Sequence, residues 1–220
     1  MSAARDPAAS SVPVLVVDEN AVARRFVARV VRDSFSDAMQ VAECADFGSA
    51  LASLAAPPPG YPAWRMLVID IDLPDSGASQ LLAAAARASK AAPDERPMLK
   101  VVTSLYADDE KLFPALVDGA DGYLLKEDRF EVQVEQLQKI ARGEPPISPA
   151  LARRLRDHFD HEARLLSRPE SELLAHLSQG YTIREVAQLM STRTQAVALQ
   201  IRSVYLKLRR LGRDPATAAG

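Results

Sequence analysis

Four short apolar runs, each cut off by a charged or hydroxyl residue and most followed by a helix-length segment, restrict the first two-thirds of this chain to an open parallel α/β sheet. Met66 to Ile69 ends in Asp70, and Leu73-Pro74 and Gly77 break the chain just beyond it. Val14 to Val17 ends in Asp18-Glu19, Leu99 to Val102 in Thr103-Ser104, and Asp121-Gly122-Tyr123-Leu124-Leu125 in Lys126. Runs bounded in this way read as strands buried on both faces. Ligands of such sheets bind outside the carboxyl ends of the strands. One rim therefore receives acids, a hydroxyl and an amine from segments far apart in sequence.

The remaining elements follow from periodicity. Helices are expected over residues 21–33, where Val22, Phe26, Val30 and Val31 recur at helical spacing, and over 47–55, 77–92, 108–117 and 130–142. A second strand is expected over 39–45. The breaker-rich stretch 56–62 precedes the central strand, and Trp64 beside it reads as a half-buried lid on the sheet edge. Five strand–helix units with right-handed crossovers fit the flavodoxin-like doubly wound order.

Three carboxylates crowded on one rim repel, and each raises the others' pKa unless a cation compensates. Mg2+ suits them, because it takes oxygen ligands at about 2.0–2.1 Å, keeps several waters, and binds through one or two carboxylates plus phosphate oxygens.

The acidic pair Asp18-Glu19, the motif Asp70-x-x-Leu73-Pro74, the strand-end Thr103 and the segment GADGYLLKE around Lys126 resemble the receiver domain of bacterial two-component response regulators over residues 12–142. The resemblance implies that Asp70 accepts a phosphoryl group from a sensor histidine kinase. It implies that Asp18, Glu19, Asp70 and the backbone carbonyl of Asp72 hold Mg2+, and that Thr103 and Lys126 hold phosphoryl oxygens. It also implies a switch in which Thr103 moves inward and Tyr123 follows. Three departures stand out: Glu19 where Asp is commoner, Ser104 where Ala is frequent, and a loop from Pro74 to Gly77 one residue shorter than usual.

Charge separates the two ends of the chain. Residues 1–149 carry 15 Lys and Arg against 22 Asp and Glu, whereas residues 150–220 carry 12 against 7. No acid lies between Glu185 and Asp214, a span that holds Arg193, Arg202, Lys207, Arg209, Arg210 and Arg213. Clustered cations suit a polyanionic partner. The single cysteine, Cys44, excludes an internal disulfide framework. No apolar run reaches the roughly 18 residues of a membrane span, and residues 1–11, read as a flexible tail, lack a signal peptide's apolar centre. A reducing cytoplasm is expected.

Residues 143–165 read as a Pro-rich linker and a charged linker helix, in which His158 and His161 are expected to face solvent. Ser167-x-x-Glu170 and Thr182-x-x-Glu185 are two capping boxes that mark helix starts. Apolar stripes follow at Leu173, Leu174 and Leu177, at Ile183, Val186, Ala187 and Met190, and at Val197, Ile201, Val204, Leu208 and Leu211. Three short amphipathic helices around one core suggest a helix-turn-helix.

This segment, LSRPESELLAHLSQGYTIREVAQLMS, resembles the LuxR-type DNA-binding domain of NarL/FixJ regulators, here spanning residues 166–213. The resemblance places Gln195, Leu199, Gln200, Arg202 and Ser203 toward bases and Arg193 and Lys207 toward phosphates. Ala196, Ala198 and Gln200 depart from the common pattern, Arg193 stands at the expected N-cap, and residues 214–220 read as a tail where a fourth, dimerising helix is usual. Any homodimer must then form through the receiver or the linker helix, or pairing of half-sites does not happen.

The reading that results is a non-enzymatic response regulator, phosphorylated on Asp70 and controlling transcription through its helix-turn-helix. The alternative is a regulator that acts by protein contact through a degenerate DNA-binding domain.

Overall fold

A computed structural model describes residues 12–35, 39–91, 97–106, 108–161 and 165–211. Five parallel strands form one sheet in the order β2-β1-β3-β4-β5: β1 Val12–Val17, β2 Met39–Cys44, β3 Met66–Asp70, β4 Leu99–Ser104 and β5 Gly122–Leu125. Helices α1 Ala21–Phe35, α2 Phe47–Ala55, α3 Gly77–Ala91, α4 Asp109–Val117 and α5 Phe130–Ala141 cover its two faces. The order reverses at β1, and β1 and β3 stand side by side, so their carboxyl ends flank the switch point of a doubly wound sheet.

Every residue of β3 is buried, as a strand covered on both faces requires. On one side Val14, Val16, Val68 and Val101 meet Val27, Val30 and Val31 of α1 and Leu137 and Ile140 of α5. Gly122 permits that contact, because a Cβ there would come within 2.9 Å of Ile140. The expected stripe on α1 is displaced, however. Val22 is 79% exposed, and Phe26 lies half out, edge-on to Phe130. The first turn of α1 overhangs the rim instead of the sheet. Trp64 is not a half-open lid but fully buried, its indole N–H donating to the Ser53 carbonyl at 2.7 Å.

The other face of the sheet shares its core with the C-terminal helices α6 Pro149–His161, α7 Arg168–Ser178, α8 Ile183–Leu189 and α9 Thr194–Leu211. Both capping boxes form, at Ser167 with Glu170 and at Thr182 with Glu185. Leu173, Leu174, Leu177, Val186, Val197, Ile201, Val204 and Leu208 are buried together. Helix α4 joins the halves by packing against both α6 and α9. His158 is not solvent-facing, since it lies edge-on to Phe113 of α4 at 5.2 Å. The side chain of His161 and the segment expected to lack a fourth helix lie outside the described residues.

Candidate functional site

Register gathers the rim. Val17 is paired with Ile69 and Asp70 with Thr103, so β1, β3 and β4 end level with one another. The Lys126 N–H donates to the Ser104 carbonyl at 2.7 Å, which brings the chain end of β5 to the same edge. Lys126 Nζ then stands 2.7 Å from Asp18 Oδ2 and 2.8 Å from Asp70 Oδ2. Both carboxylates are buried. The local fold holds each of them: Asn20 N–H donates to Asp18 Oδ1 at 2.8 Å while its own side chain caps α1, and Asp72 N–H reaches Asp70 Oδ1 at 3.3 Å.

Electrostatics set Asp70 apart. Burial raises the pKa of Asp70, Lys126 opposes that shift, and the neighbouring Asp18 adds to it, leaving the carboxyl above its ordinary value. Burial works against the Lys126 ammonium, but its two carboxylate partners prevail and hold its pKa above the usual lysine value. Two buried carboxylates thus share one partly buried cation.

The other expected site residues lie as follows. Thr103 is buried, its hydroxyl 3.5 Å from the Ile69 carbonyl, so it points along the sheet. Ser104 donates its hydroxyl to the Tyr106 carbonyl at 2.9 Å. Glu19 is exposed and lines a neighbouring cavity of about 370 Å³ with Asp46, Phe47, Pro74 and Asp75. Among the described residues, no three acid, histidine or cysteine side chains converge closely enough to cage a metal. Two carboxylates do converge, and the buried Oδ2 of Asp18 has no hydrogen-bond donor aligned on it although the Lys126 ammonium lies beside it. That donor set fits Mg2+, which needs only one or two carboxylates and keeps its waters.

The loop after Asp70 carries backbone strain. Asp75 and Ser76 both adopt positive φ, at 54° and 58°, in a 3-10 turn over Pro74–Ser76 that leads into α3. Left-handed non-glycine residues cost about 1–2 kcal/mol each, and here two occur in succession, close behind Asp70. Lys111 of α4 closes over the same loop, paired with Asp72 Oδ1 at 2.5 Å. Its ammonium pKa is raised chiefly by Asp72, with Asp108 and Asp70 adding to the effect. Sequence reading missed this pair, because nothing in the spacing of Asp72 and Lys111 shows that α4 leans over the β3–α3 loop.

Tyr123 is buried on β5, and its phenol is pushed up to about 12 by burial against a partial offset from Ser148 of the linker. Tyr205 of α9 is buried nearby and donates its hydroxyl to the Pro146 carbonyl at 2.6 Å. The two tyrosines thus grip the linker from either half of the molecule. A second tie joins the halves. Asp121 Oδ2 accepts the Lys100 N–H at 2.8 Å and pairs with Lys100 Nζ at 3.1 Å, while its Oδ1 lies 2.9 Å from Arg209 of α9. Arg209 also donates to the Ala120 carbonyl.

Arg193, just before α9, and Gln195, Leu199 and Arg202 on it are exposed, and Gln195, Leu199 and Arg202 share one face at helical spacing. Gln200 is half-buried, with an Oε1 that has no partner. Ser203 and Lys207 turn into the domain, at 2.8 Å and 2.5 Å from the Glu170 carboxylate. Thr194, Gln195 and Ala198 border a cavity of about 620 Å³ whose other walls are β5, α5, the linker and the start of α8. Arg202 lies against the turn at Gly143. The amino-terminal half of α9 therefore faces the receiver side of the molecule.

Comparison with known proteins places this arrangement. No protein-family model matches the chain. It is 26% identical over 207 residues to the oxygen regulatory protein NreC of Staphylococcus carnosus, covering 89% of this chain and 90% of that one. It is 27% identical over 209 residues to the nitrate/nitrite response regulator protein homolog of Haemophilus influenzae, covering 93% of each. A LuxR-family two-component response regulator from Aurantimonas sp. superposes with a TM-score of 0.52 at 20% identity, over 69% of this chain and 99% of that one. RcsB of Salmonella typhimurium superposes with a TM-score of 0.50 at 18% identity, over 90% and 92%. These structural likenesses show the fold, a five-stranded receiver sheet followed by a small helical domain.

Proposed function

We propose that this chain, a cytoplasmic two-component response regulator of the NarL/FixJ/LuxR family, takes a phosphoryl group on Asp70 from a sensor histidine kinase and thereby frees α9 to bind DNA. Family membership makes it a transcription regulator and not a classical enzyme. The observation that carries the reading is the meeting of Asp18, Asp70 and Lys126 within 2.8 Å at the strand ends.

Each residue has a task in this reading. A carboxylate oxygen of Asp70 attacks phosphorus, and the bond from phosphorus to the donor breaks with its electrons leaving on the donor. Lys126, already oriented by both carboxylates, neutralises the incoming oxygens. Phosphoryl transfer needs such positioning and charge compensation more than further covalent chemistry. Thr103 is the register partner of Asp70 on β4 and rotates from the Ile69 carbonyl toward the new group. Asp18, Glu19, Asp70 and the backbone carbonyl of Asp72 would hold Mg2+, which when bound would supply charge neutralisation. Movement of Thr103 and Tyr123 then loosens the linker that Tyr123 and Tyr205 hold. Arg193, Gln195, Leu199, Gln200 and Arg202 become available to DNA, with Ser203 and Lys207 following only if Glu170 releases them.

Incubation with acetyl phosphate and Mg2+ followed by intact-mass measurement should add one phosphoryl group to the wild type and none to Asp70→Asn. Retention of the phosphorylated chain on DNA should fall steeply with salt, by a slope of about 0.9 per phosphate contact. Absence of an adduct refutes the phosphoacceptor assignment. An adduct without DNA retention at low salt favours regulation by protein contact, a reading that the inward turn of Ser203 and Lys207 also supports.

A further inference from the structure

The pair between Lys111 and Asp72 sits at the mouth of the acceptor site. Asp72 belongs to the same turn as Asp70, and its N–H is already directed at the Asp70 carboxylate. Lys111 belongs to a different element, the first turn of α4. Both side chains are partly exposed, at 51% and 39%, so solvent weakens their attraction. A phosphoryl group on Asp70 would place two or more further negative oxygens beside an ammonium whose flexible four-carbon stem carries three rotatable donors. From inside the protein those oxygens meet Lys126 and Thr103. Arg24, a further cation close to the rim, is already bonded to the Asp18 carbonyl at 2.7 Å and paired with Glu43.

We propose that Lys111 is a phosphoryl-binding residue of this site, exchanging the Asp72 carboxylate for the oxygens of the group carried by Asp70. The proposal rests on Asp70 being the phosphoacceptor. It also gives the charge event a path outward, because the helix that carries Lys111 is held by α6 on its other side. Arg154 donates to the Asp109 carbonyl at 2.9 Å and lies 4.8 Å over the Phe113 ring, which His158 meets edge-on. A pull on Lys111 is thus a pull on the contact between α4 and the linker helix.

If Lys111 served only to pair with Asp72, removing either partner would have the same consequence. If it binds the phosphoryl group, Asp72 competes with that group, and the two removals act in opposite directions. The test measures the rate of adduct formation on the full chain with acetyl phosphate and Mg2+, by intact mass, for the wild type, Lys111→Met, Lys111→Arg and Asp72→Asn. In this reaction the Asp70 oxygen attacks phosphorus and acetate departs with the electron pair of the broken P–O bond. Loss of one charge-assisted contact in the transition state should slow Lys111→Met by roughly tenfold. Lys111→Arg should stay near wild type, and Asp72→Asn should be faster than wild type. Both effects should persist in about 1 M salt, where the Debye length is about 3 Å and general steering is screened out.

Equal rates for all variants, changes of the same sign in Lys111→Met and Asp72→Asn, or effects that vanish at high salt would each overturn the assignment of Lys111 alone. A wild type that takes no phosphoryl group would overturn the acceptor reading, and the Lys111 assignment with it. Matching thermal melts of the four proteins establish that the substitutions leave the fold intact.

Discussion

Asp70 is an acid held where its charge is unwelcome, because burial and the neighbouring Asp18 outweigh the help of Lys126. With its folded pKa above the unfolded value, near 3.9 for a free aspartate, the stability associated with its protonated form is complete below that value. It is lost as the pH rises through the folded pKa. Asp70→Asn removes the ionisation and leaves Lys126 paired with Asp18. The variant should therefore melt above wild type at neutral pH, with the difference closing below about pH 4; a melting series from pH 3 to 8 checks this. The residues of this centre were legible from sequence because each ends a strand, and a parallel sheet brings strand ends together whatever the side chains do. Lys111 and the exposure of Val22 were not legible, since both depend on how far a helix overhangs the rim.

At the scale of elements, the capping boxes were the clearest signals in the second half, and both helices start where they predict. Glu170 does more than cap α7. Burial opposes its charge, yet Lys207, the Ser167 N–H and hydroxyl, and Ser203 outweigh that and hold the carboxyl below its ordinary value. One side chain thus joins the start of α7 to the middle of α9. A lowered pKa means a contribution present above the unfolded value, about 4.3, and lost as the pH falls through the folded one. Glu170→Gln should cost about 1–2 kcal/mol in urea unfolding at pH 7, with a smaller cost at pH 4. Lys207 and Ser203 were expected on the DNA side because residues on a helix face read alike from sequence. Which of them meets a buried acid depends on where α7 lies, and that is tertiary information.

The whole molecule is closed by two neighbouring sets of contacts between the start of β5 and α9, where Asp121 and Tyr123 lie two residues apart and Tyr205 and Arg209 one helical turn apart. Tyr123, Tyr205 and the linker form one set, and Lys100, Asp121 and Arg209 form the other, where β4 and β5 begin. Because Arg209 is largely buried and its carbonyl and carboxylate partners belong to the receiver, Arg209→Ala should open the molecule without phosphorylation. Loss of about 1.4 kcal/mol from the closed state corresponds to roughly tenfold more of the open one. Faster proteolysis of the linker around residues 143–148 and tighter DNA retention, both in the unphosphorylated variant, would register it. The division into two domains could be inferred from composition and charge, but their mutual grip could not, because Asp121 reads only as the first residue of the fifth strand and Arg209 as one of several clustered cations.

The burial of Trp64 has a practical consequence. The chain contains one tryptophan, and it is sealed beneath α2 in the first half. Its ultraviolet emission is consequently a private channel for that half alone. Changes in the second half must be read through its tyrosines or an attached dye, and a pair of optical traces suffices to tell whether the two halves come apart together or in turn.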